Sequence, residues 1–520
     1  MSRFRSFIPL ALLALAGCGQ PESQQAAAPG VPAMDAADVV FTNGKVYTVN
    51  DAQPWAEAVA IKDNKIVYVG GAAGVAEFTG EGTETIDVGG KMVLPGFVSA
   101  HDHLIGAEWP TYGVDLFPGS SKEDYLELIR VYAEANPEEE IIRGIGWGAG
   151  PYGGLPTAAE LDTAVADRPV ILLDFTIHDA WLNTKAMELA GVDKNTADAV
   201  PGVTYWQRDE DGNPTGAAIE FAWMPAYIAL GAWDPESMIP SSHKNLYAAA
   251  VKTGMTAHLN PALVTPTVID AEKMFEDMEY VMEYLAGLEQ QGKLDLRAFI
   301  QPGFKMPDTD VAEFVAKAED LAKRYDSDNL RAFGIKIHPE GNWTSRTSRM
   351  LEPYLPPDDT PEELDRPSVA NYGAASVGPE LMQEVVLAAN AKGLDVVTHV
   401  DGSATVRAMI DAIEAANAAG YTKARNQLHH FFWADPADLQ RTLDMNLPVN
   451  VTPAFCSSWE AQDALALELL GEERINSQYC QYPTVAANGN RLSISSDVPS
   501  SPVDMMDPLF VMEGAVTLQD

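Results

Sequence analysis

The chain has 520 residues, 46% of them hydrophobic, which is ample for a large core and too apolar for a disordered or fibrous protein. Its 34 Lys and Arg stand against 75 Asp and Glu, a net charge of −41, which argues against nucleic acid as a partner and against adsorption to anionic lipid through a basic patch. Three cysteines exclude a disulfide scaffold and a Cys-rich zinc module.

The chain opens on an address. Arg3 and Arg5 precede an apolar run over 7–16 and then small residues, the order of a secretory signal. The run is shorter than the ~20 residues a spanning helix needs. Leu15-Ala16-Gly17-Cys18 is similar to the bacterial lipobox, which implies lipidation at Cys18. That places the protein in the bacterial cell envelope, membrane-anchored, on the periplasmic side or the cell surface. Residues 1–17 are then a signal peptide and 18–37 a flexible tether rich in Gln, Ala, Pro and Ser. Cys456 and Cys480 would lie in an oxidising compartment, and the sequence leaves their pairing open.

Residues 38–94 alternate apolar and polar positions around Asn43-Gly44 and Asp63-Asn64, the pattern of β-hairpins. So small a sheet needs a partner to bury both faces. From 95 onward, short apolar strands are expected over 95–101, 254–259, 296–301, 332–338, 395–400, 426–431, 448–452 and 492–496. Helical patterns lie between them, as at 274–288, 311–325, 379–392 and 404–419. Eight strands with intervening helices predict an α/β fold, a (β/α)8 TIM-like barrel over 95–520, beside a β-sandwich domain begun at 38–94. The gap between the first two strands is too long for one helix. Residues 107–250, with strand-like pieces at 141–145 and 170–175, read as an insertion in the first βα loop, at the end where barrel sites lie.

His101 and His103, two apart at the end of the first strand, face the same way and could be a metal pair. Alone, that spacing is weak evidence. Lys336 interrupts an otherwise apolar strand, and a buried ammonium is costly unless paired, neutralised or modified. Carbamylation would make it an anion able to bridge two metals, whereas a lysine snorkelling at the strand end explains it equally. His399 ends the fifth strand, His430 lies in the sixth, and Asp497 follows the eighth. Each singly reads as a core histidine or a capping carboxylate. Together they put a ligand-type residue at the ends of strands one, four, five, six and eight.

Further spaced elements join these: Pro95-Gly96-Phe97 before the two histidines, Pro156-Thr157, His178-Asp179-Ala180-Trp181, Gly341 with Arg346-Thr347, Gly402 after His399, and Asp497-Val498-Pro499. On them the chain, from about Ala37 to Asp520, resembles the amidohydrolase superfamily, in the amidohydrolase-3 branch that includes N-substituted formamide deformylase-like proteins. The resemblance implies a metal-dependent hydrolase cleaving a C–N bond other than a peptide bond in a small amide-type substrate. It assigns metal-ligand roles to His101, His103, Lys336, His399, His430 and Asp497, for one or two divalent ions, Zn²⁺ first. Such an ion lowers the pKa of a bound water to ~7. Asp497 would act as general base and then acid. His178 would stabilise the oxyanion, although packing of the insertion explains it equally. His258, His338, Glu340 and Arg346 are candidates for lining the substrate pocket, and His243 reads as a surface residue. Four positions depart from the family pattern: Glu340 stands for Asp, Ser403 for Asp, His429 for Glu and Val498 for Trp. In the family, strands after the barrel complete the sheet begun at 38–94, so further strands are expected beyond Asp520. Homo-oligomerisation stays open. An ester or lactone hydrolase using the same residues, or a non-catalytic surface lipoprotein of the same fold, is the alternative.

Overall fold

The structure, a computed structural model, describes residues 36–107, 112–201, 203–355, 372–456 and 460–517. The expected signal segment, Cys18 and the expected tether up to residue 35 lie outside the described residues. The chain divides into two compact units, Met1–Pro95 and Gly96–Asp520.

The first unit carries two small sheets. One has the order Lys65–Gly70, Ala58–Lys62, Val39–Thr42, Glu84–Asp87; the other has Trp55–Ala56, Lys45–Tyr47, Met92–Val93. The expected hairpin at Asp63-Asn64 is present, with both residues at positive φ as a tight two-residue turn demands. Asn43-Gly44 does not close one. Val39–Thr42 pairs instead with Ala58–Lys62 on one side and Glu84–Asp87 on the other, so both of its edges are taken. Asn43, at φ 54° and bonded through Nδ2 to Asp87, turns the chain into the second sheet.

The second unit contains eight strands in the expected places: β1 Phe97–Ser99, β2 Met255–Asn260, β3 Arg297–Ile300, β4 Ile335–Ile337, β5 Val396–Val400, β6 Gln427–His430, β7 Val449–Val451 and β8 Leu492–Ile494. They form two parallel sheets. One runs β1-β2-β3 and then Leu330–Ala332; the other runs Gly303–Phe304 and then β4 to β8. The strand expected over 332–338 is therefore split. Gly334, at φ 66°, steps the chain from a partner in β3 to a partner in β5, and a Cβ there would sit 2.4 Å from the Asp395 carbonyl oxygen. Beyond β1 and β8, the amide of His103 donates to Val498 O at 2.8 Å and that of Asp497 to His101 O at 3.1 Å. The β5 strand is buried throughout, as the inner layer of an α/β fold requires.

Helices follow the strands. In Val311–Arg324, Val311, Phe314, Val315, Ala318 and Leu321 are buried along one stripe, and the Asp310 side chain caps the N-terminus through Glu313 N. Because β1 pairs directly with β2, everything between them is inserted after β1. The insertion builds its own six-stranded sheet, with Val170–Asp174 and Ile142–Trp147 in it and Trp147, Trp181 and Tyr125 in its core. Cys456 and Cys480 form a disulfide, their Cα atoms 5.9 Å apart.

Candidate functional site

The residues singled out at the strand ends converge. His101 Nε2 and His103 Nε2 lie 3.4 and 3.3 Å from Asp497 Oδ1, and His430 Nδ1 lies 3.9 Å from Asp497 Oδ2. The His430 ring stands 4.6 Å from that of His101 and 4.4 Å from that of His399, centroid to centroid. Lys336, in the middle of β4, is buried among them with no hydrogen-bond partner for Nζ. His430 and Asp497 are both held at positive φ, a backbone region that non-glycine residues occupy only when the surroundings enforce it.

Burial sets the electrostatics. It pushes the imidazoles of His101, His399 and His430 well below their usual range, and the Lys336 charge adds to the effect, so all three are neutral and free to donate lone pairs. Burial also brings Lys336 down to about 7, against the pull of Asp497. Neighbours select the tautomers. His101 Nδ1 meets His429 Nδ1 at 2.7 Å, and His429 Nε2 meets Gln427 Oε1 at 3.2 Å. A His101 that donates from Nδ1 keeps its Nε2 lone pair toward Asp497, and His429 then passes its own Nε2–H to Gln427. His399 Nε2 donates to Gly341 O at 3.1 Å, leaving Nδ1 free. The Asp102 carboxylate accepts from Ser496 Oγ at 2.5 Å and Val498 N at 3.1 Å, locking the ends of β1 and β8 together. Nitrogen and carboxylate donors in this arrangement suit a divalent ion, and His101, His103 and Asp497 alone offer three ligand atoms within 4.8 Å of one another.

This cluster opens into a cavity with aromatic walls that include Phe175, Phe221, Trp343, Phe432 and Phe455. His178 and His338, expected at the site, line it. Lys305 joins them in the lining and Glu220 stands behind it, two residues the sequence reading passed over. Glu220, fully buried, bonds His178 Nδ1 and accepts from Lys305 Nζ at 3.2 Å. Lys305 Nζ also meets His338 Nδ1 at 2.8 Å and lies 4.3 Å over the Phe221 ring. Burial opposes protonation of His178, but the Glu220 charge and hydrogen bond outweigh it and the shift is upward. Both residues carry the signal that drew attention to Lys336: Glu220 follows the apolar run Ala217-Ala218-Ile219, and Lys305 follows Phe304 at a strand end. Asp401 is a third omission. It lines the cavity two residues beyond His399, and burial pushes it up to about 7.

Four expectations are corrected. His258 is fully buried on β2, bonded to Tyr247 Oη at 2.8 Å and held down to about 3 by burial, and it is not among the cavity-lining residues. Glu340 is not in the lining either. Its carboxylate accepts from Asp401 N, Gly402 N, Thr405 Oγ1 and Arg349 N, so it braces the loop after β4 against the turn after β5. Arg346 is half-buried, at φ 57°, outside the lining. His243 is half-buried against Tyr247 and Tyr284 rather than a surface residue.

The chain is similar to several known proteins. A family profile described as "Amidohydrolase family" matches residues 84–520. Exoenzymes regulatory protein AepA of Pectobacterium carotovorum subsp. carotovorum is 27% identical over 452 residues, 85% of this chain and 90% of that protein. N-substituted formamide deformylase of Arthrobacter pascens is 24% identical over 485 residues, 90% of this chain and 82% of that protein. Among solved structures, a metal-dependent hydrolase from Pyrococcus furiosus superposes with a TM-score of 0.63 at 24% identity, covering 93% of this chain and 90% of that one, which shows a shared fold. With the match spanning both the strand ends and the histidines gathered on them, the chain belongs to the amidohydrolase family.

Proposed function

We propose that this chain is a metal-dependent hydrolase that cleaves an amide-type C–N bond, other than a peptide bond, in a small molecule. The observation that carries the reading is a pair of buried atoms, Lys336 Nζ and Asp497 Oδ1, that lack hydrogen-bond partners amid neutral imidazoles. Buried polar atoms are almost always paired, so atoms left bare this way point to a missing cation. The residues fit one: His101, His103, His399, His430 and Asp497 would hold one or two divalent ions, Zn²⁺ by the character of the donors. Lys336, brought down to about 7, reaches the neutral amine form far more readily than a solvent-exposed lysine. Addition of carbon dioxide forms an Nζ–C bond and releases one proton, giving an anionic carbamate ligand.

The chemistry such an ion supplies is Lewis acidity, which polarises a carbonyl and acidifies water. Asp497 Oδ1 takes the proton of the attacking water and returns it to the leaving nitrogen. His178, its Nδ1 held by Glu220, presents Nε2 to the oxygen on which charge develops. The eight strands are read as a (β/α)8 barrel over 95–520, supported by the backbone bonds between the ends of β1 and β8 and by the strand exchange at Gly334. Residues 38–94 are read as part of a β-sandwich domain. The order of residues 3–18 supports export and a lipid anchor at Cys18 in the bacterial envelope.

Elemental analysis of the purified chain tests the reading. One or two equivalents of divalent metal are expected. In a screen of N-acyl and N-formyl amines, Asp497→Asn should lower turnover by at least ~10²-fold. Undiminished turnover in that variant refutes the mechanism.

A further inference from the structure

Phe432 and Phe455, two of the aromatic residues that line the cavity, meet beside the disulfide. Phe455 ends the short turn Pro453–Phe455 that follows β7, and Cys456 is the next residue. On the other side, Gln478, Tyr479 and Cys480 run along the chain that leaves β6. Cys480 N donates to Phe432 O at 2.8 Å, Ala434 N donates to Gln478 O at 3.1 Å, and Trp433 pairs with Tyr479 in an antiparallel bridge. The Phe432 ring stacks on that of Tyr479, 6.4 Å between centroids. The stretch 478–480 is thus anchored by its backbone to the segment after β6. It reaches across to the Phe455 turn through Tyr479 Oη, which donates to Phe455 O at 2.8 Å, and through the sulfur of Cys480, bonded to that of Cys456. The Phe455 ring rests against Phe432, 6.2 Å centroid to centroid. Phe432 is buried, whereas Phe455 and both cysteines are half-buried, so the turn draws less hold from the core than the ring it leans on.

One hydrogen bond at a half-buried position is a weak tether, whereas the covalent bridge fixes two Cα atoms 5.9 Å apart. The wall it holds suits a flat apolar group. An aryl ring packs on phenylalanine rings through a contact that depends on their relative orientation, and so on the placement of each ring. We propose that Cys456 and Cys480 are positioning residues, whose disulfide holds Phe455 in the cavity wall and thereby sets the preference of the site for amides that carry an aryl group. The inference deepens the hydrolase reading, on which the turnover arm of its test rests and the binding arm does not. The bridge then decides what the cavity accepts as well as how firmly the chain is closed.

Benzylacetone, in which CH₂ stands for the N–H of N-benzylacetamide, has no bond to hydrolyse and serves as the probe. In calorimetric titrations of the full chain it should bind the unaltered protein roughly 2- to 10-fold more tightly than the chain carrying Cys456→Ser and Cys480→Ser, the worth of one aromatic contact. Phe455→Ala should lose affinity by a similar factor. Adding both cysteine substitutions to Phe455→Ala should then cost no further affinity, because the bridge acts through that ring. In kinetics, the preference for N-benzylacetamide over N-methylacetamide in kcat/KM should fall by the same factor when the bridge is removed, through KM. A bridge that served stability alone would lower both amides together. Equal probe affinity with and without the bridge, additive losses in the triple variant, or no binding of benzylacetone by the unaltered chain overturns the proposal. Probe binding that depends on the bridge in a chain that holds no metal and turns nothing over would sink the hydrolase reading alone. Turnover of both amides in a ratio indifferent to the bridge would sink this one alone. Should the cysteine substitutions prevent folding, the bridge of the folded protein is opened with a water-soluble trialkylphosphine, which takes the oxygen of a water as the two sulfurs take its protons, and the same titrations decide.

Discussion

Glu220 shows how much a single buried charge can organise. It touches His178 on one side and Lys305 on the other, and none of the three is more than a tenth exposed. Removing one partner of a buried pair leaves the other charge without compensation, so Glu220→Ala should destabilise the fold by about 3–5 kcal/mol. Pairing it with Lys305→Met should restore part of that loss. Denaturant midpoints of the two single variants and the double variant give the coupling directly, and additive losses would show that the pair acts independently. His178 and Lys336 drew attention in the sequence, one from a motif and the other as a lysine in an apolar strand. Glu220 and Lys305 stand in equally apolar company but in no motif. Their meaning depends on reaching each other across 85 positions of chain.

The turn after β5 is the element that joins the proposed metal set to the substrate cavity. The strand delivers His399, the turn presents Asp401, and Gly402 caps the helix Ser403–Ala418. Gly402 is required for space rather than for conformation. Its backbone is ordinary, but a Cβ would fall 2.2 Å from the Arg349 carbonyl oxygen, in the loop that Glu340 clamps from below. Gly402→Ala therefore forces that loop away. It should cost roughly 1–3 kcal/mol of stability. It should also raise KM for amide substrates, and a thermal melt with a kinetic assay checks both. Hydrophobic period made β5 and its helix readable before folding. The brace was not readable, because a glutamate three residues past β4 looks like a pocket residue until the four donors that converge on its carboxylate are seen.

For the molecule as a whole, the net charge of −41 describes the surface, whereas the proposed chemistry rests on a few buried groups. The Cys456–Cys480 disulfide closes a 24-residue separation between the end of β7 and the approach to β8. Constraining a loop of that length in the unfolded chain contributes about 3 kcal/mol. Replacing both cysteines by serine should lower the denaturant midpoint accordingly, and an unchanged midpoint would mean that the loop is already restrained in the unfolded state.

The order of strands and helices from 95 onward, the segment inserted after β1 and the six residues proposed as ligands were all legible in the linear chain. Hydrophobic period and the ends of apolar runs are local properties, and the family motifs keep their spacing along the sequence. Which side chains complete the site was not legible. The swap of sheets at Asn43, the split strand at Gly334, the withdrawal of His258 and Glu340 from the cavity and the meeting of Glu220 with Lys305 all depend on which edges and which buried atoms are already occupied by distant residues. Hydrogen-bond satisfaction is settled only when the whole interior has closed, and so the bare Oδ1 of Asp497 has no counterpart in the sequence.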